Sequence, residues 1–140
     1  MRTISVVIPT LNSSRLLSDC LNSIRIQNYP QGDVEILIVD GGSTDATLEI
    51  ARKFKSEILS RPEERGNPEK RKALGALKAR NEIIAFIDSD NILPHKEWLN
   101  KMLSPFHRNE LITAVSPLRY HYNKKDSLLN RYCSLLGVND

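Results

Sequence analysis

Two carboxylates one residue apart, Asp88 and Asp90, close the unbroken apolar run Ile83-Ile84-Ala85-Phe86-Ile87, with Ser89 between them. Ionised, they can only accept hydrogen bonds, so they would repel a phosphate unless a cation lay between. A hard divalent ion, Mg²⁺ or Mn²⁺, fits that role, because one octahedral shell can hold carboxylate oxygens of the protein and phosphate oxygens of a ligand. Asp90 and Asp88 are therefore the candidate metal residues. A third carboxylate, Asp40, ends the apolar run Val34–Val39 and is followed by Gly41-Gly42-Ser43-Thr44-Asp45. It can accept from a base or a ribose, and glycines after it let a planar ring come close to the backbone. A third polar stretch, Pro9-Thr10-Leu11-Asn12, follows Ile4–Ile8. The basic run Lys70-Arg71-Lys72 could supply a second contact to phosphate.

Residues of these types act together only if the chain brings them together. Ile4–Ile8, Val34–Asp40 and Ile83–Ile87 read as strands, and their lack of alternation suits a parallel sheet buried on both faces. Leu16, Leu17, Cys20, Leu21 and Ile24 recur at helical spacing, predicting a helix over 14–27. Leu48, Ile50, Ala51 and Phe54 predict a second, capped by Ser43, Thr44 or Asp45. Glu57–Ser60 fits an edge strand, and Arg61–Pro68 a loop. A third helix follows Pro68, with Ala73, Leu74, Leu77 and Ala76 inward and Lys70, Arg71, Lys72, Lys78 and Arg80 outward. Pro94 opens a fourth from His95 to about Leu103, and Ile112–Ser116 reads as a further strand. Strands and helices alternating in this way predict a parallel α/β sheet with right-handed crossovers. If the strands before Thr10, Asp40 and Asp88 are neighbours, their ends converge on one crevice.

The 140 residues suffice for one hydrophobic core, and 40% apolar with 26% charged residues is ordinary for a globular domain. A net charge of +3 is well below that of a nucleic-acid binder, so no nucleic-acid partner is expected. Cys20 and Cys133 lack metal spacing and read as free buried thiols. Met1–Ile4 leads straight into a strand without a signal peptide, and no apolar run reaches the ~18 residues of a membrane span. The expected location is the cytoplasm or the cytoplasmic face of a membrane. No GxGxxG follows the first strand, and a calcium loop from Asp88 fails because Leu93 and Leu99 hold its sixth and twelfth positions.

The three stretches, Ser5–Asn12, Val39–Asp45 and Ala85–Asp90, in this order and spacing, resemble the inverting family 2 glycosyltransferases. The resemblance spans Ile4 to about Pro117. It implies the GT-A fold: a Rossmann-like, mostly parallel sheet with helices on both faces. It also implies transfer of a sugar from a nucleotide-diphospho-sugar donor to an acceptor hydroxyl, on a saccharide, lipid or protein, with a divalent metal. Donor-binding residues carried over are Pro9, Thr10, Asn12, Asp40, Gly41, Lys72, Asp88, Ser89 and Asp90. Asp88 lies on the ribose side and Asp90 on the metal bridging the diphosphate. The family often has Ala-Arg-Asn-x-Gly before the third strand, where this chain has Arg71-Lys72-Ala73-Leu74-Gly75. The family's acidic catalytic base has no matching motif by Asp140. Residues 1–118 thus read as the donor-binding domain and 119–140 as the start of an acceptor-side region.

Two other readings compete. One is a non-catalytic nucleotide-sugar-binding module. The other is a haloacid-dehalogenase-type phosphatase, disfavoured because its Asp-x-Asp usually follows the first strand and continues to Thr or Val, where Ile92 stands here. In the tail, Leu128, Leu129, Tyr132, Leu135 and Leu136 form a helical stripe. It would cover the sheet, meet a partner further along the chain or, with Lys124, Lys125 and Arg131, lie peripherally on a membrane.

Overall fold

A computed structural model describes residues 2–117. The tail stripe and Cys133 lie outside them. The chain divides into two compact units, Met1–Lys96 and a second beginning at Glu97. In the first, β1 (Ile4–Thr10), α1 (Leu17–Arg25), β2 (Val34–Asp40), α2 (Thr47–Lys53), β3 (Glu57–Ser60), α3 (Pro68–Lys78) and β4 (Ile83–Phe86) follow in order. The sheet is parallel throughout, with strand order β3-β2-β1-β4. The chain moves outward from β1 to β3, then returns to the other side of β1. The topological switch therefore lies between β1 and β4, at the carboxyl ends where such sheets bind ligands.

β1 and β2 form the centre. Val6, Val7, Ile8, Leu37, Ile38 and Val39 are fully buried although neighbouring residues point to opposite faces, so both faces are covered. On one face α3 lies very close to the sheet. A Cβ on Gly75 would fall 2.3 Å from Val7 Cγ1 and 2.9 Å from Val39 Cγ2. Gly75→Ala is therefore expected to destabilise the domain in urea titrations. Overpacking against two fixed strands costs about 1–3 kcal/mol, more than the ~1 kcal/mol that alanine gains in helix propensity. A rise in stability would refute this packing.

Several expectations change. The strand before Asp88 is not buried on both faces. Among the described residues β4 pairs with β1 alone, and Ile84 and Phe86 are 37% and 52% exposed, while α3 packs chiefly on β1 and β2. Residues 112–116 form no strand, since none of their backbone joins the sheet. β1 does not stop at Pro9 but continues to Thr10. The inner face of α3 is Arg71 and Gly75 rather than Ala73 and Leu77, and Leu77 is 85% exposed. Arg71 is consequently buried, not part of an outer basic face. Pro68 does open α3, and the Asn67 side chain caps it by accepting from the Lys70 amide at 2.9 Å.

In the second unit α4 spans Trp98–Arg108, starting later and running further than Pro94 suggested. It passes through Pro105, which has no amide to give to Lys101. The Ser104 hydroxyl donates to that carbonyl instead, at 3.0 Å. Among the described residues no helix is long and apolar enough to cross a membrane.

Candidate functional site: a crevice at the carboxyl ends of β1, β2 and β4

The β1 and β2 ends are locked around Asp40, which is 0% exposed. Its Oδ1 accepts from the Thr10 hydroxyl at 3.0 Å and from the Ser43 hydroxyl at 2.5 Å. Its Oδ2 accepts from the amides of Gly42 at 2.9 Å and Ser43 at 2.8 Å. The Gly42 and Ser43 contacts are local: the strand delivers the carboxylate, and Gly42, at φ +85°, turns the chain back so that two successive amides face it, while the Thr10 hydroxyl reaches it from β1.

The two loops are also stitched to each other. Asn12, at φ 50°, takes the left-handed conformation that asparagine tolerates. Its Oδ1 accepts from the Thr44 amide at 2.8 Å, and its own amide donates to Ser43 Oγ at 2.9 Å. The Ser13 amide donates to Thr47 Oγ1 at 2.8 Å, and the Ser14 amide to Asp45 Oδ2 at 3.1 Å. The N-cap of α2 is Ala46, which has no side chain to cap with, rather than Ser43, Thr44 or Asp45; Asp45, just before it, accepts from the Thr47 amide at 3.0 Å. The Thr47 hydroxyl chiefly, with the Ser14 contact, holds the Asp45 carboxyl well below its ordinary value of 3.8, against a smaller opposing effect of burial. Because the folded-state value is depressed, Asp45 adds stability above pH 3.8 and loses it as the pH falls below. Urea titrations of the wild type and Asp45→Asn should differ at neutral pH and converge in acid.

Between β1 and β4 the opening has a specific cause. The Ile87 amide donates to the Val7 carbonyl at 3.2 Å. Two residues on, the backbone nitrogen of Pro9 faces the same side with no hydrogen to give. The ladder ends there and the loops diverge. Across the gap the Ser89 hydroxyl donates to Ser13 Oγ at 2.9 Å. Lys72 Nζ lies 3.1 Å from Asp88 Oδ1 and 3.0 Å from Glu69 Oε1. Asp90 is exposed and has no hydrogen bond or ion pair among the described residues. Beneath them Cys20 is buried. Its thiol donates to the Asp88 carbonyl at 3.6 Å and is pushed up to about 12 by burial, with the charges of Asp90 and Asp88 adding, so it stays protonated.

The structure thus brings Pro9, Thr10, Asn12, Asp40 and Gly41 together on one side and Lys72, Asp88, Ser89 and Asp90 on the other. Sequence reading overlooked the role of Arg71. Its Nη1 donates to the carbonyls of Glu64 at 2.6 Å and Arg65 at 2.8 Å. A Cβ on Gly41 would meet that nitrogen at 2.7 Å, so glycine is needed there for room. Burial draws the guanidinium down from its ordinary value while Asp40 and Glu64 oppose the shift. The missed signal was the position itself: Arg71 lies four residues before Gly75, the residue that touches the sheet, and so shares its helix face.

Among the described residues no group of three or more His, Cys, Asp or Glu side chains could enclose a metal ion. The donor set is two half-open carboxylates. That does not fit a resident, protein-enclosed ion. It does fit an Mg²⁺- or Mn²⁺-type ion that keeps several ligands from water and from substrate phosphates.

A parallel sheet with an open switch point, and carboxylates at the ends of both strands that flank β1, defines a Rossmann-like domain of the GT-A type. The Glycosyl transferase family 2 profile matches residues 5–134. Glycosyltransferase AglE of Haloferax volcanii is 33% identical over 140 residues, covering 96% of this chain and 45% of that protein. Staphylococcus aureus TarS 1–349, solved in complex with UDP-GlcNAc, superposes with TM-score 0.69 at 30% identity, over 75% of this chain and 32% of that one. The mannosyltransferase PcManGT from Pyrobaculum calidifontis, in complex with GDP-Man and Mn²⁺, gives TM-score 0.69 at 25% identity, over 75% and 32%. The chain belongs to glycosyl transferase family 2. It spans less than half the length of these relatives.

Proposed function

We propose that this chain is the donor-binding part of an inverting glycosyltransferase that takes a nucleotide-diphospho-sugar with Mg²⁺ or Mn²⁺. The observation that carries the reading is the junction of three strand ends at one switch point, with Asp88 and Asp90 beside it. The nucleoside half of the donor lies along the Thr10–Asn12 and Gly41–Ser43 loops. Asp40 serves it by holding those loops, since all four of its acceptor positions are filled from within. Asp88 and Asp90 would hold the cation, which when bound neutralises the diphosphate and assists its departure. Lys72, already paired with Asp88, adds the second positive group to the phosphates. A carboxylate that deprotonates the acceptor hydroxyl belongs to sequence outside the described residues. Residues 119–140 begin that acceptor side. The complexes of TarS with UDP-GlcNAc and of PcManGT with GDP-Man and Mn²⁺ support a donor of this class.

Calorimetry with UDP, GDP, ADP and CDP, each with Mn²⁺, Mg²⁺ or EDTA, tests it. One nucleoside diphosphate should bind saturably with metal and at least about tenfold more weakly in EDTA. Absence of binding by all four, or steady hydrolysis of small phosphoesters, would overturn the proposal.

A further inference from the structure

At the opposite end of the sheet, where the strands begin, the protein has a cavity of about 330 Å³. That is the lower end of the range for small-molecule sites. It is lined by Arg25 from the end of α1, Lys55 and Glu57 before and in β3, Glu35 of β2, Arg80 before β4, and Gly32. The two carboxylates are already taken. Arg80 bridges them, with Nη2 2.6 Å from Glu35 Oε1 and Nη1 2.5 Å from Glu57 Oε2. Glu35 Oε2 also accepts from the Arg80 amide at 3.1 Å and from the Ser5 hydroxyl. Among the described residues Arg25 and Lys55 are left without a carboxylate. Among the described residues Arg25 donates only to neutral oxygens, the Phe54 carbonyl at 2.9 Å and Gln31 Oε1 at 3.4 Å. Lys55 has no ion pair among the described residues.

Lys55 is also in an unfavourable conformation. Its φ is 54°, in the left-handed region, just past the end of α2, where glycine is the relaxed choice. The Lys55 and Ser56 amides donate to the Arg52 and Ala51 carbonyls, so this conformation closes α2 and sets the Lys55 side chain at the cavity. Gly32 across from it has no heavy atom within 4 Å of where a Cβ would be, so the cavity is open on that side.

We propose that this cavity is an anion site for the phosphoryl group of a small phosphate monoester, held by Arg25 and Lys55 and independent of the donor crevice. The guanidinium offers a paired N–H contact to phosphate oxygens and the ammonium a point charge. Arg80, fixed between its glutamates, forms the wall behind them. No metal is needed, which separates this site from Asp88 and Asp90.

The test is amide NMR of the 140-residue chain in EDTA at low ionic strength, titrated with inorganic phosphate and with glucose 6-phosphate. Saturable shifts are expected at Gly32, Val34, Lys55 and Asn81, stronger for the sugar phosphate, with none at Ser89 and Asp90. Lys55→Gly should raise the melting temperature without ligand, by relieving the strain, and weaken phosphate binding about tenfold. Gly32→Phe, which fills open space, should abolish binding without lowering the melting temperature. Unaltered affinity in Lys55→Gly, shifts confined to Ser89 and Asp90, or no saturable shift would overturn the proposal. Binding only to vesicles carrying phosphatidic acid, with neither soluble probe bound, would overturn it in favour of a lipid headgroup.

Discussion

Asp90→Ala is expected to leave the melting temperature of the free protein unchanged and to remove the stabilisation that a nucleoside diphosphate gives with Mn²⁺. The two halves have separate grounds. Asp90 is exposed and unpaired among the described residues, so truncating it breaks nothing in the fold. Such surface changes are usually within about 0.5 kcal/mol. Its proposed function lies wholly in the bound state. A ligand at 100 times its dissociation constant stabilises by about 2.7 kcal/mol. In a domain of this size that is a rise of roughly 5–10 °C. Melts of wild type and Asp90→Ala with UDP or GDP, in Mn²⁺ and in EDTA, read both. Wild type should rise only with metal and the variant not at all. Asp88→Asn should fall between them, because it also releases Lys72, now 3.1 Å from the carboxylate. A metal-dependent rise surviving in Asp90→Ala would remove Asp90 from the metal site.

The ends of β2 and β4 were readable from sequence because each is signalled locally by apolar residues up to Asp40 and up to Asp88, whereas Pro9 misplaced the end of β1 by one residue. What could not be read is anything decided by neighbours. Ile83–Phe86 and Ile36–Val39 are equally apolar, yet among the described residues one strand is central and the other an edge with Phe86 half exposed. Only the strand order distinguishes them. Arg71 stands in a basic run and looks solvent-facing, but Gly75 brings the helix so near the sheet that the face they share is the inner one. Residues 112–116 have the composition of a strand, and composition does not supply a hydrogen-bonding partner. Asp40 was recognisable as a site residue. That it is sealed by Thr10, Gly42 and Ser43 depends on how the two loops meet.

That sealing makes Asp40 the position where substitution should cost the fold most. Asp40→Ala would strand the part-buried amides of Gly42 and Ser43, which have no other acceptor in the turn. An orphaned buried donor costs about 1–3 kcal/mol, and a part-buried one falls at the low end of that range. The hydroxyls of Thr10 and Ser43 would be left without their acceptor too. The total is roughly 3–5 kcal/mol, a large part of the ~5–15 kcal/mol that holds a domain together. Asp40→Asn should be far milder. Its amide oxygen can face the two backbone N–H groups, and its NH₂ can face the hydroxyls of Thr10 and Ser43, which rotate to accept as readily as they donate. The variant forgoes only the charge assistance of those bonds, and it also sheds a buried charge. Urea unfolding should therefore rank wild type close to Asn and Ala far below. Nucleotide binding should fall with Ala because the Asn12–Thr44 and Ser13–Thr47 hydrogen bonds depend on the same turn. Equal destabilisation by Asn and Ala would mean that the negative charge itself, set against the buried guanidinium of Arg71, governs the site rather than the hydrogen-bond geometry.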